Sequence, residues 1–297
     1  MVNVAFFSYK GGAGRTSLLF NTLPFIAEEL NATENEPIIV MDLDLDSKGL
    51  SYLIDKESEI NTIQILRGDQ SIGYMQGGSP NKEAFFQKLL PIGTMMGLDA
   101  SKDKAVLFAT AHEKLGASTL TENGNYDAKK LSVSLQMLKK YCMGFGCKAI
   151  IMDTPAGGQV EGQAALSLST KIVTVMRITS QFRKGTEEFL HNKSKGLLNK
   201  EFIIVPNAVP ENNGTLLYSI DTIMDRIKLS LSRAIEESSN KINMKFVDAK
   251  GINEVTRFKF VESCLKKEQA FSALSQDELS ALESYKSLAK EIAHADT

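Results

Sequence analysis

The fold of this chain follows from one stretch near its start, Phe6-Phe7-Ser8-Tyr9-Lys10-Gly11-Gly12-Ala13-Gly14-Arg15-Thr16-Ser17. The apolar run 2–7 is typical of a buried parallel strand, and residues 16–30 carry apolar side chains at helical spacing. Glycines between a strand and a helix let backbone N–H groups converge on an anion, and the helix N-terminus adds the positive end of its dipole. The stretch therefore predicts a phosphate-binding loop.

The loop departs from the strict phosphate-loop pattern G-x-x-x-x-G-K-[ST] at two positions. Tyr9 stands where the first glycine belongs, and Arg15 stands where the lysine belongs. Arg15 keeps the positive charge, and its planar fork of donors can hold β- and γ-phosphate oxygens. Thr16 stands where a hydroxyl would bind Mg²⁺. Taken alone, the stretch also fits a glycine-rich turn that binds nothing.

Acidic residues follow two further predicted strands. Asp42, Asp44 and Asp46 come after or beside the end of strand 38–41, and Asp153 follows strand 148–152. In an open parallel sheet the ligand lies outside the carboxyl ends of the strands, so both clusters should face the crevice of the phosphate loop. Carboxylate oxygens suit Mg²⁺, which usually keeps several waters. For any single aspartate, a helix N-cap or a turn is the alternative interpretation.

These segments together resemble the ParA/MinD family of ATPases. Lys10-Gly11-Gly12-Ala13-Gly14-Arg15-Thr16 is similar to the family's deviant loop K-G-G-x-G-K-[ST]. Met41-Asp42-Leu43-Asp44 resembles its I-D-L-D-P-Q segment, and Ile151-Met152-Asp153-Thr154-Pro155 resembles its I-I-D-T-P segment. The resemblance implies a slow ATPase with ATP and Mg²⁺ as cofactors, and a homodimer in the ATP state.

The same resemblance assigns roles to individual residues. Lys10 would reach the phosphates of the other subunit, and Asp44 would position the attacking water. Asp42 would support the magnesium shell, while Thr16 and Asp153 would bind Mg²⁺, the latter through water. The nucleotide itself would be held by Gly11, Gly12, Ala13, Gly14, Arg15, Thr16 and Ser17, with Asn207 reading the adenine base. For Asn207 a turn-forming role is the alternative.

Strand-like and helix-like segments alternate along the chain, which predicts an α/β fold: a mostly parallel sheet with helices on both faces, as in ParA/MinD-type P-loop proteins. The expected strands are 2–7, 38–41, 105–109, 148–152, 171–176 and 202–205. Pro24 predicts a kink or an early break in the first helix. We expect residues 1–297 to form a single ParA-like domain, with an atypical segment of short helices and loops around 48–103.

Composition sets only broad limits. The 297 residues carry a formal net charge of -2 and are 43% hydrophobic, which favours a globular protein and no particular partner. The three cysteines do not form a disulfide framework, so a reduced, cytoplasmic protein is expected. The N-terminus has no signal-peptide pattern, and no apolar run approaches the ~20 residues of a membrane helix.

Several partners fit such a switch. The leading hypothesis is positioning or partitioning of DNA or other cargo by non-specific DNA binding, with a basic face made of Arg226, Lys228, Arg233, Arg257, Lys259, Lys266 and Lys267. A regulatory or defence role through an activating protein partner, with residues 48–103 as its surface, is the runner-up. A MinD-like membrane switch is less favoured because residues 294–297 lack basic and bulky apolar side chains. A metabolic synthetase would need a second substrate pocket, for which the sequence offers no motif.

Overall fold

A computed structural model describes residues 1–69, 72, 75–76, 79–112, 114–118, 120, 128–192, 197, 199–207, 220–237, 243–247 and 276–294. Strands and helices alternate along these residues. The strands are β1 (Val2–Phe7), β2 (Ile38–Asp42), β3 (Met75–Gln76), β4 (Ser79–Pro80), β5 (Leu90–Pro91), β6 (Val106–Ala109), β7 (Ala149–Asp153), β8 (Lys171–Met176), β9 (Glu201–Pro206) and β10 (Asn243–Phe246).

The helices of the described ranges lie between these strands, except the last helix, which follows β10. They are α1 (Arg15–Glu29), α2 (Gly49–Ile54), α3 (Thr62–Arg67), α4 (Lys82–Phe86), α5 (Ala128–Gly144), α6 (Val160–Leu168), α7 (Ser180–Asn192), α8 (Ile220–Glu237) and α9 (Gln276–Ala293). Two 3₁₀ segments, Thr94–Met96 and Ala100–Ala105, precede β6. None of the helices in the described ranges is both long and apolar enough to cross a membrane.

The central sheet, as far as the chain is described, has eight strands in the order β10-β9-β8-β1-β7-β2-β6-β5. Neighbouring strands run parallel except β5, which is antiparallel to β6. β3 and β4 form a separate antiparallel pair. The expected α/β fold with a mostly parallel sheet is confirmed.

Helices cover both faces of this sheet. Parallel crossovers are right-handed, so the direction in which the chain steps across the sheet decides the face on which its helix lies. The step from β1 to β2 through α1 runs one way, whereas the steps through α5, α6 and α7 run the other way. Accordingly α1 packs with α9, and α5 packs with α6.

The core lies on both sides of the central strands, which are buried along almost their whole length. On one side Phe7 of β1 packs on Phe189 of α7, with ring centroids 4.5 Å apart. On the other side Tyr285 of α9 is fully buried, and Asn21 Nδ2 of α1 donates to its hydroxyl at 3.4 Å. Apolar strands buried on both faces explain why the strand predictions succeed.

The expected early break at Pro24 is wrong, because α1 continues through it to Glu29. A proline nitrogen cannot donate the helical hydrogen bond to the carbonyl four residues earlier. The residues around it, Leu23, Phe25 and Ile26, are buried in the core. Tertiary packing therefore holds the helix together where local propensity disfavours it.

Two short strands at the edges of the sheet were not predicted from the sequence. Helix α4 ends at Phe86, and Leu90–Pro91 joins the sheet edge as β5. β10 at the opposite edge reads Asn243-Met244-Lys245-Phe246, which is half polar and therefore weak as a strand signal. The other short helices of segment 48–103 agree with the expectation.

The carboxyl ends of β1, β2 and β7 lie side by side, and this positions the site. Phe6 near the end of β1 is paired with Asp153, and Asp42 at the end of β2 is paired with Asp153 as well. The loop after β1 and the acidic residues after β2 and β7 therefore meet at one edge of the sheet.

Candidate functional site

The loop between β1 and α1 has the backbone conformation that its glycines permit. Gly12 and Gly14 both have φ of +78°, in the left-handed region that favours glycine, and Gly14 caps the N-terminus of α1. A Cβ built on Gly11 or Gly12 would meet no heavy atom of the described chain within 4 Å. The outer surface of the loop is therefore open, and the helix N-terminus behind it favours an anion.

Arg15 lies at the centre of the site and bridges two aspartates. Its Nε donates to Asp153 Oδ1 at 2.6 Å, and its Nη2 donates to Asp44 Oδ2 at 2.7 Å. Nη1 lies 3.3 Å from Ser8 Oγ, to which it donates. The hydroxyl of Thr16 donates to the other oxygen of Asp153 at 2.7 Å. The guanidinium thus joins the start of α1 to the ends of β2 and β7.

Burial and charge oppose each other in this cluster. The Arg15 side chain is 7% exposed, and burial alone would lower its pKa, but the charges of Asp153 and Asp44 outweigh this and the pKa is raised. Burial raises the pKa of Asp153, although Arg15 and Thr16 counteract part of that rise. Arg15 therefore stays charged and stabilises the ionised form of Asp153.

Asp42 lies behind this cluster and is held by a different partner. Its Oδ2 accepts from the backbone N–H of Ser51 at 2.9 Å and from the Ser51 hydroxyl at 2.7 Å. Burial and the negative charge of Asp153 raise the pKa of Asp42 to about 7, despite the hydrogen bonds from Ser51.

Two more carboxylates surround Asp44. Asp46 is exposed, and its Oδ1 accepts from Ala117 N at 2.9 Å, which ties the segment after β2 to residues 116–117. Glu161, in the first turn of α6, is 4% exposed, and its Oε1 has no hydrogen-bond partner among the described residues. Burial raises the pKa of Glu161, and the charges of Asp46 and Asp44 add to the rise.

Two side chains support the backbone of the loop from the ends of β8 and β9. Asn207 is fully buried, and its Nδ2 donates to the carbonyl oxygens of Ala13 at 2.7 Å and Gly14 at 3.3 Å. Arg177, directly after β8, donates from Nε to the carbonyl of Gly12 at 2.7 Å. Both side chains therefore hold the loop by its carbonyl groups.

Comparison with known proteins addresses the fold. Neither family models nor curated protein sequences give a match to this chain. The chain superposes on the MinC:MinD cell division protein complex of Aquifex aeolicus with a TM-score of 0.61 and 14% identity, covering 100% of this chain and 98% of that one. MinD of Pyrococcus horikoshii OT3, complexed with Mg-ADP, gives a TM-score of 0.58 and 16% identity over 98% and 96%. A plasmid partition protein of Borrelia burgdorferi B31, bound to AMPPNP, gives 0.56 and 14% over 98% and 99%.

The chain has the ParA/MinD fold. At these sequence identities the likeness shows the architecture and does not assign the residues of the site. Arg15, Thr16, Asp44 and Asp153 are brought into direct contact with one another. They lie at the edge of the sheet formed by the carboxyl ends of β1, β2 and β7.

The other predicted site residues lie around this contact. Lys10 is half-exposed in the loop, next to the exposed Gly11, and Ser17 lies in the first turn of α1. Asn207 supports the loop from beneath, and its expected contact with adenine stays a prediction. Of the predicted basic face, Arg226, Lys228 and Arg233 are exposed on α8, while residues 257, 259, 266 and 267 lie outside the described residues.

Three residues around this cluster were missed from the sequence. Arg177 follows β8 directly, so the same strand-end rule that finds Asp42 and Asp153 applies to it. Ser51 lies within a short helix, where a serine gives no distinctive signal. Glu161 lies six residues after Pro155, and only the fold shows that it approaches Asp44.

Proposed function

We propose that this protein is an ATP-dependent switch ATPase that dimerises around its nucleotide. The observation that carries the proposal is the contact of Arg15 with Asp44 and Asp153 at an open phosphate loop, beside the Thr16 hydroxyl. The fold supports it, since the similar structures include MinD complexed with Mg-ADP and a plasmid partition protein bound to AMPPNP.

The donor set of the site fits magnesium. Mg²⁺ takes hard oxygen ligands and is commonly held by one or two carboxylates together with phosphates and water. The Thr16 hydroxyl and the Asp153 carboxylate are already 2.7 Å apart, and Asp42 lies next to Asp153 in the sheet. Thr16 and Asp153 would hold the ion, with Asp42 behind them. When bound, the ion neutralises negative charge that develops on the phosphate oxygens.

Arg15 would change partners when ATP binds. In this structure its donors satisfy Asp44 and Asp153, and phosphate oxygens are equally suitable acceptors for the guanidinium fork. Once Arg15 binds phosphate instead, the Asp44 carboxylate can accept a hydrogen bond from the attacking water and so orient it. Hydrolysis would be slow, because Arg15 must leave two close ionic contacts before each turnover.

Lys10 would make nucleotide binding and dimerisation one process. It lies at the outer side of the loop, half-exposed, and none of the described residues forms an ion pair with it. In a sandwich dimer its ammonium would meet the phosphates of the opposite subunit. Loss of the γ-phosphate would remove that contact and release the dimer, as in other nucleotide switches.

The cargo of this switch would be DNA bound without sequence preference, or another body positioned by the same cycle. The exposed Arg226, Lys228 and Arg233 on α8 support this, because such residues neutralise phosphates without reading bases. A protein partner that activates the ATPase is the alternative, and a MinD-like membrane attachment is less favoured.

Size-exclusion chromatography with and without Mg-ATP tests the switch. The wild type should dimerise with ATP, and Lys10→Ala should stay monomeric. Lys140→Ala, at an exposed position of α5, is the matched control and should dimerise like the wild type. A wild type that shows neither a heat of Mg-ATP binding by calorimetry nor an ATP-dependent dimer would refute the proposed function.

Gel retardation with random-sequence duplex DNA tests the cargo. Retardation should require ATP, should weaken steeply between low and physiological salt, and should decrease in an Arg226→Ala, Lys228→Ala, Arg233→Ala variant. Retardation that is absent with ATP at low salt would contradict DNA as the cargo while leaving the ATP switch intact.

A further inference from the structure

Tyr9, the residue immediately before Lys10, packs against a helix that leaves room for it at one position. A Cβ added to Gly185 of α7 would lie 2.2 Å from Cδ1 and 2.6 Å from Cε1 of the Tyr9 ring. No real Cβ approaches a carbon so closely, so the ring fits because residue 185 has no side chain. The Tyr9 hydroxyl also donates to Glu188 Oε2 at 3.3 Å.

One face of α7 makes these contacts with the end of β1. Gly185, Glu188 and Phe189 are spaced i, i+3 and i+4 and therefore share a face of the helix. Phe189 packs on Phe7 with ring centroids 4.5 Å apart, while Gly185 and Glu188 contact Tyr9. The chain is thus held by α7 up to the residue before Lys10.

Two backbone contacts hold the loop on either side of Lys10. The N–H of Gly157 donates to the carbonyl of Ser8 at 3.0 Å. The carbonyl of Gly12 accepts from Arg177 Nε at 2.7 Å. A lysine followed by two glycines has a large conformational freedom in isolation, and fixed neighbours remove most of it.

We propose that Tyr9 is a positioning residue for Lys10: its ring, seated on Gly185, directs the lysine outward to the nucleotide of a second subunit. The inference rests on the proposed function, since it concerns the lysine assigned to the sandwich dimer. The physical reason is preorganisation, because a side chain that is already directed loses less freedom when it binds. Tyr9 stands where the strict loop pattern has glycine, which could not make this contact.

The test uses variants that move or remove the ring. Gly185→Ala adds the one methyl group that must displace it, and Tyr9→Ala removes it. Tyr9→Phe keeps the ring and loses the hydroxyl contact with Glu188. Gly144→Ala is the matched control, since it is also a helical glycine but its Cβ would meet no heavy atom of the described chain within 4 Å.

The first measurement needs no nucleotide. Lysine acetylation followed by mass spectrometry gives the labelling rate of Lys10, with the exposed Lys140 as internal reference. The Lys10 rate should fall several-fold in Gly185→Ala and Tyr9→Ala, because the lysine is then no longer held outward, and stay at the wild-type value in Tyr9→Phe and Gly144→Ala. Unchanged rates in both Gly185→Ala and Tyr9→Ala would overturn the inference, whatever the protein does with ATP.

The second measurement separates dimerisation from nucleotide binding. Gly185→Ala and Tyr9→Ala should weaken the ATP-dependent dimer about tenfold or more, because small misplacements of an aligned group have large effects. Binding of Mg-ATP to the monomer, measured by calorimetry at low protein concentration, should stay within about twofold, since a tenfold change needs a whole lost contact. Tyr9→Phe should dimerise like the wild type.

The double variant decides whether the glycine acts through the tyrosine. With the ring gone, the added methyl has nothing to displace, so Tyr9→Ala, Gly185→Ala should dimerise no worse than Tyr9→Ala alone. Additive losses would overturn the inference, because Gly185 would then act by another route. A wild type that binds no Mg-ATP would refute the proposed function, while the labelling experiment would still decide the role of Tyr9.

Discussion

Arg15 is the residue on which the free site depends most. Removing one member of a buried ionic cluster leaves the others without compensation, at a cost of about 3–5 kcal/mol. Arg15→Ala leaves Asp153, which is fully buried, without its closest cation. We expect this decrease in the free energy of unfolding when Arg15→Ala is unfolded with urea at pH 7. The stability of Arg15→Lys should lie between that of the wild type and that of Arg15→Ala, because one ammonium cannot reproduce a two-sided fork.

Arg183→Ala is the control for this prediction. Arg183 forms an i, i+4 pair with Glu187 on a half-exposed face of α7, so its removal should cost no more than about 1 kcal/mol. Equal losses in Arg15→Ala and Arg183→Ala would show that the Arg15 cluster adds nothing beyond a surface ion pair.

Asp42 gives the stability of the protein a pH dependence whose sign follows from its raised pKa. Its folded pKa of about 7 is raised above that of the unfolded chain, so folding favours the protonated form. The associated stability is fully present below the ordinary aspartate pKa and is lost as the pH rises through 7. Relative to Asp42→Asn, the wild type should lose stability over this window, by at most about 1.4 kcal/mol per pH unit.

Urea unfolding at pH 5 and pH 8 measures the effect. Asp99→Asn, at an exposed position, should differ from the wild type equally at both values. A constant difference between wild type and Asp42→Asn from pH 5 to pH 8 would contradict the raised pKa.

The residue types of the site follow from the sequence, but their contacts do not. The loop pattern and the strand-end rule locate Arg15, Thr16, Asp44 and Asp153 without any coordinates. That the guanidinium bridges both carboxylates depends on the register of β1, β2 and β7, which brings Asp42 and Asp153 opposite each other. Non-local register of this kind has no signature in a single sequence.

Lys171 fastens the C-terminal helix α9 to the sheet. This lysine is 6% exposed, pairs with Glu201 at 3.1 Å, and donates to the carbonyl of Glu291 at 2.5 Å and to that of His294. A cation at the carboxyl end of a helix satisfies carbonyls that have no helical partner. Lys171→Met should cost about 1.5–3 kcal/mol, the value of hydrogen bonds to a charged group.

Amide hydrogen exchange locates that loss. Protection should decrease first in residues 282–293, because α9 loses its attachment before the sheet opens. Lys286→Met on the same helix removes an exposed i, i+3 pair and should cost no more than about 0.5 kcal/mol. Equal protection of α9 in the two variants would contradict the role of Lys171.

The central elements were predictable because they are buried on both faces, and the edges were not. β1, β7 and β8 are mostly apolar runs, so each is visible without knowledge of its neighbours. β5 is two residues long and contains a proline, and it forms only because it pairs with β6 at the edge of the sheet. Short edge strands owe their structure to the partner strand, which a linear pattern does not contain.

The coupling of nucleotide to dimerisation should appear in the thermal stability of the whole molecule. A ligand that binds the folded state stabilises it by about 2.7 kcal/mol at a concentration 100 times its Kd. In Lys10→Ala the Mg-ATP-bound monomer should gain a Tm increase that does not depend on protein concentration. In the wild type the Tm with Mg-ATP should also rise with protein concentration, because dimer formation is linked to folding by mass action. Chelating Mg²⁺ with EDTA should abolish the concentration dependence if Thr16 and Asp153 hold the ion as proposed. A wild-type Tm that is independent of protein concentration would mean that the γ-phosphate does not join two subunits, even if each one binds ATP.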